Sequence, residues 1–254
     1  MALKTKSFKL GLVGFPLSHS RSPEIWQVIF NNLGISNISY HLFEVKDVTQ
    51  ILHVLSQPDV VGVNVTIPYK KKVIPLLSEL TAQAEGTGAV NTIVKSANGK
   101  LIGHNTDVEG FKESLKNFLG SETIEQAFIL GTGGSALAVS LALKSLAVDH
   151  YFISRKPGGD KVLTYDDINT PITEFPKLIV NCTPLGMYPN VSTFPPIDFQ
   201  KIKAKSYCFD LVYNPETTIF LQKCKMRGAF VRNGMEMLHL QAIKAWDFIS
   251  KHIP

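Results

Sequence analysis

The 254-residue chain is 44% hydrophobic and 19% charged, with a mean hydropathy of +0.09, a globular composition with material for two modest cores in one or two domains. Its net charge of +5 and pI near 9.0 come from scattered lysines, Lys70 to Lys72 being the one tight run, so an anionic small-molecule substrate and cofactor account for the charge more economically than nucleic acid. Met1 to Lys9 lacks the apolar core of a signal peptide, no run is long enough to span a membrane, and Cys182, Cys208 and Cys224 show no C-x-x-C spacing; a cytoplasmic protein with no membrane partner, structural disulfide or metal site is expected.

Leu10 to Val13 reads as a first strand, ended by Gly14 and Pro16. The polar stretch Leu17 to Pro23 leads into a helix from Glu24 to Leu33, with Ser22 as the expected N-cap and Pro23 in the first helical position; His19 reads as structural. Tyr40 to Val45 alternates as a strand, Val48 to Leu55 has helical spacing, and Val60 to Val65 is a buried strand, giving βαβαβ. Pro68 stops that strand, and a loop or short helix follows from Tyr69. Ala89 to Val94 and Lys100 to Gly103 flank Asn98-Gly99, a hairpin signal. Thr106 to Glu109 forms a capping box, and Val108, Phe111, Leu115 and Leu119 make one apolar stripe on the helix it starts.

After Gly120, Ala127 to Leu130 is a short apolar run followed at once by Gly131-Thr132-Gly133-Gly134-Ser135-Ala136, which opens an apolar helix to Ala147. This is G-x-G-x-x-A between strand and helix, the context a dinucleotide requires: a tight turn at Gly131, backbone approach to a pyrophosphate at Gly133, close packing at Ala136. The alternative is a plain strand-turn-helix connection. The next strand, His150 to Ile153, ends in Ser154-Arg155-Lys156 with no acid, which favours the 2′-phosphate of NADP over the free ribose of NAD; the alternative is two solvated cations. Arg155 to Lys177 reads mostly as loop. Lys177 to Val180 and Tyr207 to Asp210 are strand-like, so the loops Asn181 to Met187, with Thr183, and Asp210 to Pro215, with Leu211, would line the cofactor site. Met235 to Ile253 is a final helix with Leu238, Ala242, Trp246 and Ile249 on one face.

A nicotinamide enzyme needs a group that gives or takes a proton as hydride moves at a carbonyl carbon. Lys70, just beyond the buried strand, and Asp107, in a first helical turn, are the candidates. Each also reads as a solvated lysine or a helix-stabilising carboxylate. Ser20, Ser22, Thr66, Asn91 and Gln241 suit a polyhydroxylated substrate, or serve as caps and turn residues.

Seven stretches in order, Gly14 to Pro23, Asn64 to Lys70, Gly88 to Thr92, Gly103 to Asp107, the glycine loop, Asn181 to Met187 and Asn233 to Gln241, together resemble the motif set of the shikimate dehydrogenase family over nearly the whole chain. The resemblance implies an α/β fold of two domains, an N-terminal α/β substrate domain (1–105, joined by the final helix 235–254) and a Rossmann-type NADP-binding domain (106–234). It implies NADPH-dependent reduction of 3-dehydroshikimate to shikimate. Ser20 and Ser22, completed by Tyr213, resemble the pair that holds the substrate carboxylate. Thr66, Lys70, Asn91, Asp107 and Gln241 resemble the set on the ring hydroxyls, with Lys70 and Asp107 as the catalytic pair. Cofactor binding falls to Gly131 through Ala136, Ser154, Arg155, Lys156, Thr183, Leu211 and Gly234. The expected assembly is a monomer or homodimer. Ser154-Arg155-Lys156 departs from the family's Asn-Arg-Thr or Asn-Arg-Ser but keeps the arginine, and the segment after Arg155 is shorter than the family's strand and helix. Alternatives are an NAD-dependent quinate/shikimate dehydrogenase, a folate-type methylene dehydrogenase, and a non-catalytic NADP- or shikimate-binding regulator.

Overall fold

In a computed structural model that describes residues 7–18 and 20–253, with His19 outside the described residues, the chain divides into two compact units, 1–107 with 241–254, and 108–240. Each is built on one six-stranded sheet. Among the described residues no helix is long and apolar enough to cross a membrane, and no group of three or more His, Cys, Asp or Glu could hold a metal ion.

The first unit starts with β1 (Phe8–Gly14), α1 (Ser22–Asn32), β2 (Ile38–Glu44), α2 (Gln50–Ser56) and β3 (Val60–Val65). β3 is buried at all six positions because it lies inside the sheet with both faces covered. β2 alternates between half-buried and mostly exposed positions because it is an edge. A two-residue strand β4 (Glu79–Leu80), α3 (Ala82–Thr87), β5 (Thr92–Lys95) and β6 (Leu101–His104) complete the sheet in the order β2-β1-β3-β5-β6-β4. β1 runs parallel to β2 and β3, and β5 is antiparallel to β3 and β6. The hairpin signal at Asn98-Gly99 is met: Lys95 pairs with Leu101, and Gly99 takes φ +80°.

Two helix starts differ from expectation. α1 begins at Ser22 with Arg21 as its N-cap and Pro23 one position later than expected. The reason is local: Ser22 gives its amide to the Ser20 hydroxyl, and the Arg21 carbonyl accepts the first helical bond from Ile25. At the start of α4 (Asp107–Leu119), the Thr106 hydroxyl turns to Asn91 and Gln241 instead of forming the expected capping box. The Asn105 side chain accepts the Asp107 amide. The α4 stripe itself is as expected, with Val108, Phe111 and Leu115 buried and Leu119 packed against them.

The second unit holds β7 (Gln126–Leu130), α5 (Gly134–Ser145), β8 (Asp149–Ser154), β9 (Val162–Thr164), α6 (Tyr165–Ile168), β10 (Leu178–Asn181), β11 (Tyr207–Asp210), α7 (Ile219–Met226), β12 (Phe230–Arg232) and the first part of α8 (Met235–Ile249). The sheet is parallel throughout, in the order β9-β8-β7-β10-β11-β12, the doubly wound dinucleotide-binding arrangement. Side-chain alternation divides its strands between two cores: Ala127, Ile129, Leu178, Val180 and Phe209 share one with α4 and α5, and Phe128, Leu130, Ile179 and Cys208 share the other with α6 and α7. The segment after Arg155 therefore contains more than loop. β9 is three residues long, and α6 is a single turn held by a capping box between Thr164 and Asp167. α7 and β12 also lie beyond what the apolar runs predict. α8 ends at Ile249 and continues as a 3-10 turn.

Candidate active site

The turn after β3 carries Thr66 and Lys70, the strand start before β5 carries Asn91, α4 opens with Asp107, and α8 contributes Gln241. All belong to the first unit. Lys70 Nζ stands 2.5 Å from Asp107 Oδ2, with side chains only 15% and 7% exposed. Asn91 Nδ2 donates to Asp107 Oδ1 at 2.8 Å and to Thr106 Oγ1 at 2.9 Å, and lies 3.5 Å from Gln241 Oε1. Both carboxylate oxygens thus accept a hydrogen bond, one from an ammonium and one from an amide. As the first residue of α4, Asp107 also lies at the positive end of the helix dipole. The Lys70 backbone is fixed as well, its carbonyl accepting the Val90 amide at 2.7 Å.

The Asn91 side chain cannot flip, because its Oδ1 accepts the backbone amide of Thr106 at 2.9 Å. Thr92 Oγ1 also donates to that oxygen at 3.1 Å. Asn64, the one polar residue of buried β3, donates to Thr92 Oγ1 at 3.1 Å and accepts from the Tyr40 hydroxyl at 2.9 Å. Burial holds the Tyr40 phenol far above its ordinary range, so it stays a neutral donor. The Tyr40 ring stacks on buried Trp26 with centroids 5.0 Å apart, and Trp26 in turn meets Phe30 and Trp246. At the start of α1, Ser20 Oγ donates to Ser22 Oγ at 3.1 Å. Tyr40, Asn64, Thr92, Asn91, Gln241, Asp107 and Lys70 are therefore joined by one network. Tyr213 lies on the loop after β11, in the second unit.

Sequence reasoning did not single out Asn64, Thr92, Thr106 or Tyr40. An asparagine inside Val60–Val65 and adjacent polar residues at Asn105-Thr106, all buried, were the available signal, since buried polar groups need partners. Among the described residues no buried side-chain polar atom lacks one.

In the second unit, β7 turns at Gly131, which takes φ +107°, where a side chain would be strained. A Cβ there would also stand 3.1 Å from the Thr183 methyl, so the loops after β7 and β10 adjoin. The strand order reverses between these two strands, the place where such sheets bind ligands. Gly133 is the N-cap of α5, open space surrounds the position its Cβ would take, and no side chain caps the helix or puts an acid in its first turn. An anion can approach that end. At the end of β8, Ser154 Oγ accepts the Lys156 amide, and Arg155 and Lys156 are exposed. These residues fit a dinucleotide with an additional phosphate. Gly234 has a different reason to be glycine, since a Cβ would sit 2.1 Å from the Leu211 carbonyl oxygen.

Behind this loop, Asn181 Oδ1 accepts both the amide and the hydroxyl of Thr183, at 3.0 and 2.6 Å. Asn181 Nδ2 donates to Asp210, which also accepts from Val212 N and Thr218 Oγ1. Burial pushes the Asp210 carboxyl up to about 6 against those three donors.

Comparison with known proteins agrees with this arrangement. Residues 12–93 match the family described as shikimate dehydrogenase substrate binding domain. A shikimate dehydrogenase (NADP+) of Carboxydothermus hydrogenoformans is 37% identical, over 93% of this chain and 89% of that protein. The crystal structure of shikimate 5-dehydrogenase from Thermus thermophilus in complex with NADP(H) and shikimate superposes with a TM-score of 0.83 at 28% identity, covering 97% of this chain and 95% of that one. Quinate dehydrogenase from Corynebacterium glutamicum in complex with NAD gives 0.84 at 27% identity and the same coverage. Identity of 37% over most of both chains means that this chain belongs to the shikimate dehydrogenase family.

Proposed function

We propose that the chain catalyses the reversible NADPH-dependent reduction of 3-dehydroshikimate to shikimate, in the shikimate pathway to chorismate and aromatic amino acids, with Lys70 and Asp107 as the catalytic pair. The observation that carries this reading is the Lys70–Asp107 contact of 2.5 Å, braced on its far side by Asn91. NADPH, when bound, supplies the hydride. Lys70 donates a hydrogen bond to the carbonyl oxygen and stabilises the negative charge that grows there. Asp107 holds the ammonium in place, and the two groups deliver the proton as one coupled unit. Thr66, Asn91 and Gln241 bind the ring hydroxyls, and Ser20 and Ser22, with Tyr213, hold the substrate carboxylate.

The unit 108–240 takes the cofactor and the unit 1–107 with 241–254 takes the substrate. Gly131 to Ala136 cradle the pyrophosphate, Ser154, Arg155 and Lys156 hold the 2′-phosphate, and Thr183, Leu211 and Gly234 line the remaining wall. The parallel sheet with its reversal between β7 and β10 supports this assignment. The chain works in the cytoplasm as a monomer or homodimer, on small molecules and without nucleic acid. The test is a comparison of shikimate and quinate with NADP+ and NAD+, read as the absorbance of reduced cofactor. Fastest turnover with shikimate and NADP+ is expected; no turnover with any pair would refute the reading.

A further inference from the structure

The hydrogen-bond network in the first unit has a fixed direction, set by two backbone groups. Asn91 Oδ1 faces the Thr106 amide, which can only donate, so Asn91 Nδ2 must face Asp107. Asn64 Nδ2 lies 3.4 Å from the Asn91 carbonyl, which can only accept, so Asn64 Oδ1 must face Tyr40. With both amides oriented, the Thr92 hydroxyl has to accept from Asn64 and donate to Asn91. The Tyr40 proton is thereby committed to Asn64. Every bond from Tyr40 to Asp107 points the same way.

We infer that Tyr40 is a positioning residue for the reaction: acting through Asn64, Thr92 and Asn91, its hydroxyl fixes the Asp107 carboxylate opposite Lys70. The inference rests on the functional reading above. Tyr40 suits the task because it is anchored independently of the network. Its ring lies parallel to Trp26 at an interplanar angle of 11°, on a strand paired in register with β1 through Leu10. Neutral hydroxyls and amides in a poorly solvated interior polarise one another, so losing the first donor weakens each bond after it. The orientation of Asn64 is the first casualty, since its Oδ1 would face a carbon.

Tyr40→Phe keeps the ring stack and removes only the hydroxyl. With shikimate and NADP+, kcat should fall about three- to tenfold, the scale of one hydrogen bond, with the KM for NADP+ unchanged. The decisive readout is a double-mutant cycle with Asn91→Ala. If Tyr40 acts through Asn91, adding Tyr40→Phe to Asn91→Ala costs less than about twofold more. Losses that multiply, or a Tyr40→Phe enzyme within about twofold of the parent, would overturn the inference while leaving the enzyme's function standing. Absence of turnover by the parent would instead overturn the functional reading, and the inference with it.

Discussion

Replacing Asp107 by asparagine removes a charge with almost no change of shape, and the surroundings dictate the consequence. Both carboxylate oxygens are taken by donors, Oδ2 by the Lys70 ammonium at 2.5 Å and Oδ1 by the Asn91 amide at 2.8 Å. An amide offers a single acceptor, so Asp107→Asn must set its own NH₂ against one of those two donors. Asn91 cannot turn to relieve this, because Thr106 N and Thr92 Oγ1 hold its oxygen. One charge-assisted hydrogen bond is worth about 1.5–3 kcal/mol, and a buried donor left unpaired costs about 1–3 kcal/mol. Together these amount to about 3–5 kcal/mol, and each 1.4 kcal/mol expressed in the transition state is about tenfold in rate. We expect kcat for shikimate oxidation to fall by about 10²- to 10³-fold, measured by NADPH absorbance at saturating NADP+. The same contacts are present in the free enzyme, so the melting temperature falls as well, the lost charge at the first residue of α4 adding about 0.3–1 kcal/mol, and kcat is to be read well below the variant's own melting temperature. A kcat within about tenfold of the parent would refute the assignment of Asp107 to the chemistry.

Arg155 is exposed at the end of β8, and Arg155→Ala should raise the KM for NADP+ by about tenfold or more, the scale of a charge-assisted contact, with little effect on that for NAD+; equal effects would mean that it does not touch the 2′-phosphate. His104, bonded to Thr81 and stacked on Phe248, is pushed down to about 4 by burial and by nearby Lys251. Its folded-state value is depressed, so the stability it contributes is present above about pH 6.5 and is lost as pH falls to about 4, with a ceiling of about 3 kcal/mol. His104→Gln should therefore lose less melting temperature than the parent between about pH 7 and pH 4.5, and equal losses would show that His104 does not set this dependence.

What the sequence showed and what it hid follow one physical rule. β3 and β7 were legible because a strand covered on both faces is an unbroken apolar run. The glycine loop was legible because Gly131 and Gly133 stand between such a strand and an apolar helix. β9 and β12 escaped because they are three-residue edge strands without a fully buried position, and α6 and α7 because one or two turns carry too few apolar positions to show a helical period. Lys70 and Asp107, 37 residues apart, could be named as candidates from where each lies along the chain. Their meeting depends on β5 and β6 pairing next to β3. The orientation of Asn91 depends on the Thr106 backbone amide. Neither a backbone donor nor a register leaves a mark on residue type. The same applies at Arg21, which became the cap of α1 because Ser20 took the Ser22 amide.

The Lys70–Asp107 ion pair of the first unit is proposed to perform the proton transfer, and Lys70→Ala removes its ammonium. Steady-state kinetics with shikimate and NADP+ should show kcat reduced by at least about 10²-fold, the usual scale of a lost acid–base group, with the KM for NADP+ changed by less than about threefold. A kcat within about tenfold of the parent would contradict that role for Lys70.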